Sequence, residues 1–235
     1  MFVVVYGRMP VLEALRDPSI DVDRVLLARS ARGDSVDEIV DAARSRGIAV
    51  QRVAPEKVTR VSGNGRHDQG VVAEVRAPGL GELDAWLHDG PLSLLVLDGV
   101  TNPANVGMVI RTAVAAGIDG VVLPRAGSPD VGPLVVKASA GVAFRATVLR
   151  APTAGGAVAT LRAAGVAVIG LAADGEPVFS AALPERAAYV LGNETDGVSV
   201  DCDRWLSIPM AGGVESLNVA VAAGVLAFEV ARRRG

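Results

Sequence analysis

Three short polar stretches carry the residue types that could do chemistry. The first, Asn102-Pro-Ala-Asn105-Val-Gly107, precedes an apolar run that contains Arg111. An amide at a helix start and an arginine on its first turns form a pairing suited to a phosphate and a sugar. On local pattern alone, Arg111 also fits a snorkelling surface side chain. The second stretch, Leu191-Gly192-Asn-Glu194-Thr-Asp-Gly197-Val-Ser199, has two glycines at phosphate-loop spacing, but Val198 stands where the lysine belongs, which argues against nucleotide triphosphate hydrolysis. The third runs Ile208-Pro-Met210-Ala-Gly-Gly-Val-Glu215-Ser216-Leu217-Asn218, followed by an uncharged stretch through Phe228. Gly212 and Gly213 permit backbone angles closed to other residues, and Ser216 is expected to cap the following helix. Such a strand, loop and helix leaves free N–H groups around a recess for a small ligand, although a capped, buried helix would read the same way.

These stretches need a scaffold, and the remaining pattern supplies one. Short apolar strands alternate with helical segments, which predicts a mostly parallel sheet covered on both faces. The expected second-half strands are Leu92–Leu97, Gly120–Pro124, Phe144–Leu149, Val166–Leu171, Ala188–Leu191 and Trp205–Pro209, with helices near 105–116, 131–139 and 155–164. All three polar stretches then fall at carboxyl ends of strands, where open α/β sheets hold ligands. Residues 1–78 read as a separate small α/β unit. Its loop Ser62-Gly-Asn-Gly-Arg66-His67-Asp-Gln69 could face RNA or simply solvent. The proline, glycine and acid of 79–91 read as a linker, and 92–235 as the second domain.

A chain of 235 residues that is 50% hydrophobic can build a real core. No apolar run is long enough for a bilayer or a signal peptide, so a cytoplasmic protein is expected. Cys202 is the only cysteine, which excludes an internal disulfide and a thiolate zinc cluster. A net charge of −3 argues against nonspecific coating of nucleic acid but allows a local basic patch. The absence of G-x-G-x-x-G after an early strand weakens the case for an ordinary Rossmann-type oxidoreductase or small-molecule methyltransferase.

Taken together, Asn102-Pro-x-Asn105-x-Gly107-x-x-x-Arg111, Leu191-Gly-Asn-Glu194-x-x-Gly197-x-Ser199 and Ile208-Pro-Met-x-Gly-x-x-Glu215-Ser-Leu-Asn218 resemble the SpoU/TrmH family of RNA ribose 2'-O-methyltransferases, in the SPOUT superfamily. Tyr6-Gly-Arg8-x-Pro-Val-Leu-Glu-Ala-Leu15 and Gln69-Gly-Val-Val-Ala73 look like that family's N-terminal RNA-binding domain. One departure is Asp68, inserted where related sequences read His-Gln-Gly directly. The resemblance implies a C-terminal SPOUT-type α/β domain with a trefoil knot, a small N-terminal α/β domain similar to the kink-turn-binding ribosomal-protein fold, and a homodimer. It further implies S-adenosylmethionine as methyl donor, held around Leu171, Gly192, Ile208, Met210 and Leu217, with no metal. Arg111, Asn105, Glu194, Ser216 and Asn218 would carry catalysis, and Arg8, Arg66, His67 and Gln69 would meet RNA. The favoured target is a 23S ribosomal RNA guanosine, then transfer RNA; the alternative is a catalytically idle RNA-binding or ribosome-assembly protein of the same fold.

Overall fold

A computed structural model describes residues 2–234. Its backbone divides into two compact units, one reaching Pro78 together with Val131–Pro133, the other formed by Gly79–Asp130 and the chain from Leu134 onward.

The N-terminal unit runs β1 (Phe2–Tyr6), α1 (Arg8–Arg16), β2 (Val22–Ala28), α2 (Asp34–Ser45), β3 (Ala49–Val53), α3 (Pro55–Ser62) and β4 (Val71–Arg76). The four strands pair in the order β1-β4-β2-β3, with β4 antiparallel to both neighbours and β2 parallel to β3. The apolar positions Val25, Leu26, Leu27, Val71, Val72 and Ala73 are fully buried, so both central strands lie inside the unit.

The second unit begins with β5 (Leu80–Glu82), α4 (Leu83–Trp86), β6 (Leu92–Asp98), α5 (Pro103–Ala115), β7 (Gly120–Pro124), α6 (Pro133–Ala138) and β8 (Val148–Ala151). It continues with α7 (Ala154–Ala163), β9 (Ala167–Pro177), β10 (Arg186–Gly192), β11 (Arg204–Ser207) and α8 (Val219–Arg234). Its strands order as β11-β9-β10-β6-β7-β8-β5, and every pairing is parallel, as the near-continuous apolar strands predict. β6 is wholly buried along its length.

Three local expectations are corrected. The 79–91 stretch is not open linker: β5 pairs with β8 at the sheet edge, and Leu83 is buried beneath it. Residues 142–144 form a 3-10 turn that follows Gly141 (φ 78°), and Arg145 N and Ala146 N donate to the Val142 carbonyl, so the backbone is still turning there and the strand begins at Val148. β9 extends six residues past Leu171, with β11 pairing along it across a register shift between Trp205 and Leu206.

The chain order sets the position of a cleft. From β6 the chain first adds β7 and β8 on one side, then crosses to place β9, β10 and β11 on the other. The connections leave β6 and β10 in opposite directions, which opens a crevice beyond their carboxyl ends.

Candidate active site

Asp98 ends β6 and Gly192 ends β10, paired in register. Three elements converge there. Asn102 caps α5 by accepting from Ala104 N at 2.9 Å, and Pro103 occupies the first turn, where a missing N–H costs nothing. Asn105 is therefore inside the first turn and not the cap. It is 5% exposed, and its Nδ2 donates to Glu194 Oε1 at 2.7 Å. Asn218 Nδ2 donates to Asn105 Oδ1 at 3.1 Å and to the same Glu194 oxygen at 3.3 Å. Asn218 Oδ1 accepts from Ala220 N at 3.0 Å, so Asn218, and not Ser216, closes the start of α8.

Three residues widely separated in sequence thus form one hydrogen-bonded cluster. Beside it lies a cleft lined by Leu171, Gly192, Ile208, Met210 and Leu217, which are the five positions expected to hold a cofactor. Glu194 and Ser216 also line it, while Ser216 makes no hydrogen bond to the cluster. Gly212 and Gly213 both adopt positive φ, 70° and 73°, in the loop that forms its outer wall.

Arg111 departs from the expected pairing. It is exposed, and among the described residues it makes no hydrogen bond or ion pair. Six residues of helix rotate it by about 240° from Asn105, so the two side chains leave α5 on different sides.

Gly192 has a structural reason of its own. A Cβ there would lie 1.9 Å from the Gly197 carbonyl carbon, since Asn193 and Gly197 bridge and fold the loop back over the strand end. Asn193 Oδ1 accepts from the backbone N–H groups of Thr195 and Asp196, both at 2.8 Å, which turns the chain at Glu194.

Asp98 was not singled out from the sequence. It is 6% exposed and accepts from Ser199 N at 2.6 Å, anchoring the far end of the Glu194 loop to the sheet. The signal was available, since an acid closing a seven-residue buried strand is costly unless it is bonded.

In the N-terminal unit, Arg8 N donates to Gln69 Oε1 at 2.9 Å and Arg8 Nη1 to Ser35 Oγ at 3.0 Å. Arg66 and His67 are exposed, and His67 Nδ1 lies 3.0 Å from Asn64 Oδ1. Asp68 is buried and holds the loop together: it accepts from Thr59 Oγ1 and Ser62 Oγ, both at 3.2 Å, and from Gly70 N at 2.9 Å. Among the described residues no group of His, Cys, Asp or Glu is placed to hold a metal ion, and no helix is long and apolar enough to cross a membrane.

A parallel α/β sheet with a cleft at its strand-order reversal, walled by apolar side chains and edged by an Asn-Glu-Asn cluster, defines a protein that holds a nucleoside-sized ligand beyond its strand ends. The chain belongs to the SpoU rRNA methylase family, which it matches over residues 93–228, and residues 4–80 match the RNA 2'-O ribose methyltransferase substrate-binding family. It is 36% identical over 240 residues to the 23S rRNA (guanosine-2'-O-)-methyltransferase RlmB of Xanthomonas campestris, covering 98% of this chain and 96% of that one. Among solved structures it resembles the SpoU methyltransferase AviRb of Streptomyces viridochromogenes in complex with AdoMet, with TM-score 0.70, 27% identity, and coverage of 99% and 90%. An AdoMet-bound rRNA methyltransferase from Sinorhizobium meliloti aligns with TM-score 0.68 and 27% identity over 99% of this chain and 87% of that one.

Proposed function

We propose that this protein transfers a methyl group from S-adenosylmethionine to a ribose 2'-hydroxyl in structured RNA, with a 23S ribosomal RNA guanosine favoured over transfer RNA. The observation that carries the reading is the meeting of Asn105, Glu194 and Asn218 beside the apolar cleft.

The cleft suits the donor. Leu171, Ile208 and Leu217 offer apolar walls to a nucleoside, and the Glu194 carboxylate at the rim complements a cationic sulfonium. When bound, S-adenosylmethionine supplies an activated methyl. Asn105 and Asn218 fix the carboxylate so that Glu194 holds one orientation toward the cleft. Arg111, a solvent-exposed guanidinium, clamps the phosphate next to the target ribose and stabilises the alkoxide as the hydroxyl proton leaves to phosphate or water. Ser216 borders the same space and positions the ribose. The proposed chemistry requires no metal.

In this reading residues 1–78 bind RNA through Arg8, Arg66, His67 and Gln69, while 92–235 carry out transfer in a trefoil-knotted domain. A homodimer is proposed on an apolar surface of the packed helices α5 and α8, where Met108, Val221 and Phe228 are 40%, 52% and 55% exposed. A cytoplasmic location is part of the same proposal. Mapping alkali-resistant linkages in ribosomal and transfer RNA from cells with and without the gene tests the function. A linkage present only with the gene supports it; purified protein that binds S-adenosylmethionine and RNA yet methylates neither RNA class favours the idle RNA-binding alternative.

A further inference from the structure

The arginines of the N-terminal unit are sorted by their partners. Backbone pairing brings four segments to one end of its sheet: Arg29 N donates to the Val53 carbonyl, Ala28 N to Gly70, and Gly7 N to Val71. The segments after β1, β2 and β3 and before β4 therefore share that end. Arg8, Arg29, Arg32, Arg52 and Arg66 lie there, and Lys57 and Arg60 ride on α3, which starts two residues after β3 ends. Among the described residues none of these seven forms an ion pair. Elsewhere in the unit the pattern reverses. Arg16, Arg24, Arg44 and Arg76 each hold a carboxylate, and Arg46 donates to four carbonyls between Ala14 and Ile20.

The acids sort the same way. The unpaired end has Asp34 and Asp37 on the first turn of α2, Glu56 on that of α3, and Asp68, whose carboxylate is buried and already bonded inside its loop. That end carries seven basic and four acidic side chains, and the remainder of residues 1–78 carries five and seven. A unit that is almost neutral in total is thus polarised from end to end.

Within the basic end, one group is held together more closely than charge alone permits. Arg32 Nη1 donates to the carbonyls of Arg29 and Ala31, the latter at 2.7 Å, and Arg52 Nη1 donates to that same Ala31 carbonyl at 3.3 Å. The two distances keep these guanidinium nitrogens within about 6 Å of each other; both side chains are exposed, and among the described residues neither pairs with a carboxylate. Arg29, also exposed, has its side chain bonded to nothing among the described residues. Like charges gathered on loop carbonyls leave most of their forked donors free for a shared anion.

We propose that Arg29, Arg32 and Arg52 form a phosphate-binding surface that holds the backbone of the substrate RNA, in addition to Arg8 at the start of α1 and the loop residues Arg66, His67 and Gln69. The proposal rests on RNA being the substrate. Phosphate contacts of this kind position the RNA without reading its bases, so the surface contributes affinity and salt dependence and leaves nucleotide choice to other contacts.

The experiment measures binding of ribosomal RNA fragments across a salt series, together with methyl transfer, for the full-length protein and an Arg29→Gln/Arg32→Gln/Arg52→Gln variant. The expected result is a plot of log affinity against log salt that is shallower by about 2–3 and roughly 10–100-fold weaker binding at low salt. S-adenosylmethionine affinity and turnover at saturating RNA should stay at the wild-type level. The corresponding triple lysine variant should keep most of the slope, and Arg16→Gln/Arg44→Gln at paired sites should change nothing. Arg29→Gln alone, which removes no internal bond, should lower the slope by about 1 even if the triple variant melts early. An unchanged slope in both Gln variants of a protein that still methylates RNA overturns the surface alone; a wild-type protein that methylates no RNA overturns the functional reading beneath it.

Discussion

The Asn105 amide donates to the Glu194 carboxylate at 2.7 Å, tying α5 to a loop 89 residues further along the chain. Asn218 donates to both, so the three side chains form a closed set in which each holds the other two. Replacing Glu194 with Ala strips a buried amide of its acceptor, a loss of about 1–3 kcal/mol. Methyl transfer should fall roughly 100-fold as the cluster loses its geometry, with Gln restoring part of it. Rates with labelled donor and a melting curve check this; an Ala variant turning over at the wild-type rate would show that the cluster is structural only.

Arg111 stands apart from that set, exposed and, among the described residues, unpaired. Arg111→Ala should leave stability within about 0.5 kcal/mol and yet cost about 100-fold or more in turnover. Arg111→Lys keeps the charge and should retain measurable activity. If Lys and Ala were equally inactive while both bound donor and RNA, the electrostatic role would be wrong.

Asp98 holds the loop that carries Glu194 through Ser199 N at 2.6 Å. Asp98→Ala frees that loop, and donor affinity should weaken by roughly tenfold along with about 1–3 kcal/mol of stability. Asn retains an acceptor oxygen and should recover most of both. Calorimetric titration with S-adenosylmethionine decides; unchanged affinity in the Ala variant removes Asp98 from the site's support.

Val221 and Phe228 are seven residues apart and so emerge on one side of α8, both more than half exposed. Phe228→Asp should convert a dimer to a monomer in sedimentation while leaving the far-ultraviolet dichroism unchanged. A wild-type protein that sediments as a monomer at micromolar concentration would end the dimer proposal.

Glu229 is 6% exposed and accepts from Arg232 Nε and Nη2, both at 2.8 Å, and from Arg233 Nε at 2.6 Å. These bonds hold its carboxyl down from 4.5 to about 2. Since the folded value is depressed, this stabilisation is complete above the ordinary range near 4.5 and disappears as pH falls toward 2. Glu229→Gln should lower stability by roughly 1–2 kcal/mol at neutral pH and make little difference near pH 2. Denaturant titrations at several pH values measure it; an equal loss at both ends would mean packing, not charge.

Much of the site could be read along the chain. The five cleft positions came from the family resemblance of the motifs alone; the three polar turns and their place at strand ends followed from apolar periodicity and from glycines and prolines. These are local properties, repeated every two or four residues or set by a single backbone angle. The charge balance of residues 1–78, summed along the chain, gave no hint that one end of the fold is basic, because β4 reverses direction between its neighbours.

Sequence alone determined most of the element types, the parallel character of the second sheet and the family of the chain, since burial pattern and motif spacing are written in residue order. Only the tertiary structure decided that Asn218 and not Ser216 closes α8, that Gly192 is small to admit the Gly197 backbone, that Arg111 turns away from Asn105, and that 79–91 supplies an edge strand. Each of these depends on which distant atoms arrive beside a residue. That is set by helix phase and by strand order across the whole sheet.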